Sequence, residues 1–204
     1  TERADLGTAM VEDAAAATRW MLSREDVNEL AVVGHGHGAE VAVAAARKGA
    51  KPAKLVLLAP PSKSLEARAQ FQHEESLRLI DARITELGDV PEADLLKTRR
   101  QELVAQRAAQ PSALGTSPET STDLETLHVA YVKGVAGGSM VAIVPGVDPG
   151  EPPTHNVELT TLFGNAMVVI DGLSRTMVSV APNADPTIVS PEVVHRIGIF
   201  LSAN

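Results

Sequence analysis

The chain has 204 residues, 44% hydrophobic and 22% charged, which is ordinary for one globular α/β domain and enough for a sizeable core. A net charge of -8 offers no counter-charge to nucleic acid or to an anionic membrane, and no apolar run approaches the roughly 18 residues that span a bilayer. Cysteine is absent, which excludes a disulfide framework, a thiolate zinc site and a cysteine nucleophile and leaves the compartment open.

Aromatic residues make up only 2%, so the core is expected to be built from Ala, Val, Leu and Ile. Thr1 is no initiator, so the sequence is expected to begin inside a longer polypeptide or behind a removed segment. Leu6, Met10, Ala14, Ala17 and Met21 recur at spacings of four and three, which predicts a helix with one apolar stripe. The run Leu30-Ala31-Val32-Val33 predicts a strand, and Gly34 to Glu40 a tight turn into the Ala-rich helix that starts at Val41. A second strand is expected over 54–60. Residues 62–110, with Leu77, Ile80, Ile84 and Leu87 at helical spacing, predict a helical hairpin broken near Gly88 to Pro91. Pro111 to Asp123, rich in Ser, Thr, Pro and Gly, is expected to be a loop or linker. Further strands are expected over 140–146 and 166–171, all four of the parallel type. Ser190-Pro191-Glu192 then supplies an N-cap, a first-turn proline and a first-turn acid for a helix through Val193, Val194, Ile197 and Leu201.

Gly34-His35-Gly36-His37-Gly38 stands between a strand and a helix and has the frame of G-x-S-x-G with glycine in place of serine. Side chains at Gly34 and Gly38 are expected to collide where the helix folds back on its strand. With the helix carrying Trp20-Met21-Leu22 before it and Leu55 to Pro61 after it, this order resembles the α/β-hydrolase superfamily, in particular serine esterases and aminopeptidase-like members. The resemblance covers roughly the whole chain and implies strands five to eight of a mostly parallel sheet flanked by helices, with strands one to four not in the chain. It makes 1–61 and 124–204 the core and 62–123 a helical cap with its linker.

Such a hydrolase needs a nucleophile on the elbow, an acid after a later strand and a histidine after the last strand, in that order. The resemblance places Gly36 at the nucleophile, Asp148 at the acid and Arg175 at the histidine position, in Asp171-Gly172-Leu173-Ser174-Arg175. Arginine cannot serve as base, because a pKa above about 12 leaves it no lone pair near neutral pH. His37 occupies the position whose backbone amide forms half of the oxyanion hole. The other histidines do not restore a base. None lies between 156 and 194, and His73, His155 and His195 fall on expected helices as surface or packing residues. A deliberate inactivation ordinarily alters one residue, so two altered positions favour natural loss. Glycine at 36 relieves the strained elbow conformation, which costs another residue on the order of 1 to 3 kcal/mol.

Three other readings use the same residues. Gly34-x-Gly36-x-x-Ala39 satisfies a dinucleotide fingerprint, but the next strand ends Leu58-Ala59-Pro60-Pro61 without the acid that would hold the ribose. His35-x-His37 with Asp148 could suggest a metal, although a histidine before the nucleophile is common in the family. Arg99, Arg100 and Arg107 read as a solvated helix face offset by Glu92, Asp94 and Glu102. No cofactor or metal is therefore expected. The resemblance implies a catalytically inactive binding, regulatory or assembly subunit with room for a small-molecule ligand. The alternative is an active or deliberately inactivated serine hydrolase acting on a small ester or amide. The strand at 30–34 would lack its strand-three neighbour, so its open edge is expected to be covered by an upstream segment or a protein partner.

Overall fold

The structure is a computed structural model that describes residues 6–63, 65–109, 139–146, 148, 151, 154–181, 185 and 187–203. The linker expected over 111–123, the resumption of the core at 124 and His128 lie outside these residues.

Strands β1 (Ala31–His35), β2 (Lys54–Leu58), β3 (Ser139–Pro145) and β4 (Met167–Ile170) form one parallel sheet in the order β1-β2-β3-β4. The register sets Val33 beside Val56, Val56 beside Val141 and Ile143 beside Val168. The central strands are apolar in succession because both faces of a parallel sheet are covered by helices. Leu55, Leu57, Ala142 and Val144 meet Ala39, Ala42, Val43 and Ala46 of α2 (His37–Arg47) and Leu159 and Phe163 of α5 (His155–Phe163). On the opposite face Val56, Val141 and Ile143 pack with Leu173, Met177 and Val193, backed by half-buried Ile197 and Phe200 of α6 (Pro191–Ser202). Small alanines on α2 let that helix approach the sheet closely, which is how a core with few aromatics closes.

Helix α1 (Leu6–Leu22) lies against α2, but its buried line differs from the expected stripe. Ala15 and Thr18 are buried, with Val11, Ala14 and Met21 half-buried, whereas Met10 and Ala17 are exposed. The contact is made of small residues, Ala14 and Ala15 on Ala45 and Ala50, so alanine spacing rather than the larger apolar residues sets the face. Helix α6 begins at Pro191 with Glu192 in its first turn as expected, but the Ser190 side chain makes no capping hydrogen bond.

The expected hairpin is present as α3 (Leu65–Leu87) and α4 (Pro91–Ala109), reversed at Gly88 with φ 68°. Leu77, Ile80, Ile84 and Leu87 are half-buried on a seam with buried Ala93 and half-buried Leu96 and Leu103. The basic cluster on α4 is only partly a solvated face. Arg99 does pair with Glu102 on its own helix at 2.9 Å, but Arg100 reaches across to Asp81 at 2.6 Å and Arg107 to Gln70 at 3.0 Å. Alternation of three and four residues brings Arg100 and Arg107 onto the same line as Leu96 and Leu103, so they bridge the seam.

Candidate functional site

All four strands point their carboxyl ends the same way, and in open α/β sheets this is the end at which ligands bind. At that end β1 passes into α2 through one residue, Gly36, held at φ 56° and ψ -123°. Its amide donates to the Leu58 carbonyl at 2.8 Å, and its carbonyl accepts the Ala39 amide at 3.0 Å. A positive φ of this kind strains any residue with a side chain. Space is not the obstacle, since a Cβ built on Gly36 would meet nothing within 4 Å. A Cβ on Gly34 would lie 2.5 Å from the Gly38 carbonyl oxygen and 2.6 Å from the Ala39 Cα, so glycine is required there for the helix to fold back. The same need does not hold at Gly38, where a Cβ would be in open space. Gly38 already lies inside α2, where its missing side chain points away from β1.

The three positions expected to form a triad lie together. His35, next to Gly36, donates from Nε2 to the Arg175 carbonyl at 2.7 Å. Arg175 Nη1 stands 3.8 Å from Asp148 Oδ2 and donates to Glu151 Oε1 at 2.7 Å. The Arg175 guanidinium is thus set between two carboxylates. His37 projects from the first turn of α2 and is bonded to the buried carboxylate of Glu40. That hydrogen bond, against burial and the nearby charge of Arg68, raises the His37 pKa above the ordinary imidazole range. The two elbow histidines thus have separate protein partners, and among the described residues no group of three His, Asp or Glu side chains is placed to hold a metal.

Sequence reasoning missed the residues around this pair. Ser62, just past β2, is 1% exposed, and His155, at the start of α5, is 4% exposed. His155 Nδ1 lies 2.7 Å from Ser62 Oγ and 3.7 Å from Glu151 Oε2. His155 is therefore a buried partner in a polar network and not a surface residue. Arg68, from the first turns of α3, completes the network with Nη1 3.4 Å from Glu151 Oε1. The only sequence signal was proximity, with Asp148, Glu151 and His155 falling within ten residues after β3. Nothing in the sequence spacing would have brought Ser62 and Arg68 to them.

The Glu158 pKa is held down, against burial, by bonds from Lys63, Ser62 and Thr154. Burial pushes the His155 pKa down to about 4, with Arg175 and Arg68 adding to the shift and Asp148 and Glu158 opposing it. Burial raises the Glu151 pKa, against the pull of Arg68 and Arg175.

No family model matches the chain, and no curated protein sequence matches it. Solved structures do. The chain is similar to BpoC of Mycobacterium tuberculosis H37Rv, provisionally named a non-heme bromoperoxidase, at 19% identity and a TM-score of 0.50, over 95% of this chain and 72% of that one. The peroxisomal α/β-hydrolase Lpx1 of Saccharomyces cerevisiae is similar at 15% identity and a TM-score of 0.49, over 98% of this chain. The α/β-hydrolase GrgF of Penicillium sp. sh18 is similar at 18% identity and a TM-score of 0.47, over 96% of this chain and 70% of that one. The chain spans 59% of the length of the yeast hydrolase. A strand, a one-residue elbow and a helix, followed by three further parallel strands in sequence order, give this chain part of an α/β-hydrolase-like fold.

Proposed function

We propose that this domain does not carry out acyl transfer at its elbow and serves as a binding, regulatory or assembly subunit, with the α3–α4 hairpin as its cap. The observation that carries this reading is Arg175 Nη1 beside Glu151 and Asp148, opposite an elbow that holds Gly36. Neither a nucleophile nor a base is in place there. A small polar ligand is supported by Arg68 Nε and Glu151 Oε2, which have no hydrogen-bond partner among the described residues although their residues are only 5% and 3% exposed. Buried polar atoms of this kind are ordinarily met by water or ligand groups.

Fluorophosphonate labelling with intact-mass readout, alongside ester turnover, tests the reading, and neither label nor turnover is expected. Gly36→Ser should remain inert, and it should also lose about 1 kcal/mol or more of stability to the positive φ. Gly36→Ser with Arg175→His should give weak ester hydrolysis if Asp148 is the matching acid, and a folded but inert double variant would remove the triad assignment. The second reading, an active hydrolase, is favoured by the 2.7 Å contact of Ser62 and His155. A label on Ser62 would establish it and overturn the first.

The subunit reading also concerns β1, which pairs with β2 on one side and, among the described residues, with no strand on the other. Val33 is 52% exposed on that strand. An upstream segment or a protein partner covering this edge should slow amide exchange along Ala31 to Val33. Fast exchange there in a monomeric, cooperatively folded protein counts against any such cover.

A further inference from the structure

The polar network at the carboxyl end has a property that neither a binding nor a catalytic role requires. It ties together the carboxyl ends of all four strands, through His35 at the end of β1, Ser62 after β2, Glu151 and His155 after β3, and Arg175 after β4. We propose that this network is an acid-released latch, which closes the loop over 171–181 onto the strand ends at neutral pH and frees it in acid.

At neutral pH the arginines Arg68 and Arg175 face the carboxylates Asp148 and Glu151, and the buried His155 between them carries no charge, so the cluster balances. The groups that face His155 are Ser62 from the segment after β2, Arg68 from α3, Asp148 and Glu151 from the segment after β3, Glu158 from α5 itself and Arg175 from the loop after β4. Acid acts on two of them in the same direction. Burial has raised the Glu151 pKa, so its carboxylate is neutralised early and lets go of Arg175 and Arg68. Burial has lowered the His155 pKa to about 4, so the ring resists its proton while the network is closed and gains one when the network opens. The balanced cluster thereby becomes a set of like positive charges against Asp148 alone. Glu158 does not compensate, because its charge is engaged by Lys63 at 2.7 Å.

The loop is built to respond. Met177 is 2% exposed yet held at φ 63°, a conformation that persists only where its surroundings impose it. Its closed form is recorded by three amides, Ser174 to the Val178 carbonyl at 2.8 Å, Met177 to Ser174 at 2.9 Å and Val180 to Gly172 at 2.8 Å. The Ala59 amide, bonded to the Ile143 carbonyl at 2.9 Å within the sheet, serves as the reference.

Hydrogen exchange of the intact chain at about pH 7 and about pH 4.5, corrected for intrinsic rates, tests the latch. Exchange at Ser174, Met177 and Val180 is expected to rise about tenfold or more on acidification while Ala59 stays protected. Glu151→Gln should open the loop already at neutral pH, and His155→Gln should move the opening to lower pH. Unchanged exchange in the loop, or a rise shared equally by Ala59, overturns the proposal. Should Glu151→Gln fail to fold, the wild-type experiment with the His155 ring signal followed by NMR decides the matter, because the latch requires ring protonation and loop exchange to change together.

Discussion

Replacing Gly34 by alanine is expected to cost about 3 kcal/mol, while the same change at Gly38, four residues on, should be neutral or stabilising by up to about 1 kcal/mol. The two glycines hold equivalent places in the sequence motif, yet the structure separates them. A Cβ at 34 would enter the backbone of α2, with Gly38 O at 2.5 Å and Ala39 N at 2.8 Å, and backbone in the first turn of a helix packed on the sheet cannot withdraw without moving the helix. The Ala39, Ala42 and Val43 contacts with Leu55 and Leu57 would shift with it. At 38 the new methyl meets nothing, and alanine restricts the unfolded chain more than glycine does. Denaturant midpoints of the two single variants give the comparison directly. Equal losses at both positions would show that the elbow is not built in this register.

The second large effect should come from Arg175. Removing its guanidinium, as in Arg175→Met, leaves Glu151 buried with, among the described residues, Arg68 alone at 3.4 Å to offset its charge, and we expect a loss of about 3 kcal/mol. Taking the carboxylate away at the same time, in Arg175→Met with Glu151→Gln, should recover much of that loss, because what costs energy is the unpaired buried charge rather than the missing pair. A double-mutant cycle by chemical denaturation should therefore give a coupling of about 1 to 3 kcal/mol between these residues. Strictly additive losses would mean that Arg175 acts through its backbone carbonyl, which accepts from His35 at 2.7 Å, and not through its charge. The same reasoning bears on restoring a base. Arg175→His removes a permanent cation from two acids, so a hydrolytic Gly36→Ser variant built on it should be less stable than the parent, and more so above the histidine pKa than below it.

Much of the fold was legible because it depends on local pattern. Continuous apolar runs at Leu30 to Val33 and Leu55 to Leu58 read as parallel strands in a chain whose helices carry a three-and-four spacing, although only the second is buried and Ala31 and Val33 on the edge strand are exposed, and Gly88 to Pro91 interrupts a helix. The elbow was legible for the same reason, since a glycine frame between strand and helix reports a backbone constraint that acts over a few residues. Side-chain identity sufficed to show that Gly36 is no nucleophile and Arg175 no base.

Tertiary structure decided the rest, where the determining contacts join residues far apart in the chain. The buried face of α1 follows from Ala45 of α2 and Ala50 just beyond it, so Met10 is exposed and Ala15 is covered despite their relative hydrophobicities. Arg100 could be assigned to a seam only once α3 placed Asp81 opposite it. Above all, sequence by itself determined that Gly36 carries no hydroxyl and Arg175 no imidazole, because side-chain identity is a property of one residue. Only the folded sheet determined the polar network at the strand ends, because Ser62, Arg68, Glu151, His155 and Arg175 meet there and take their charge states from burial beside one another, and burial is a property of the assembled strand ends.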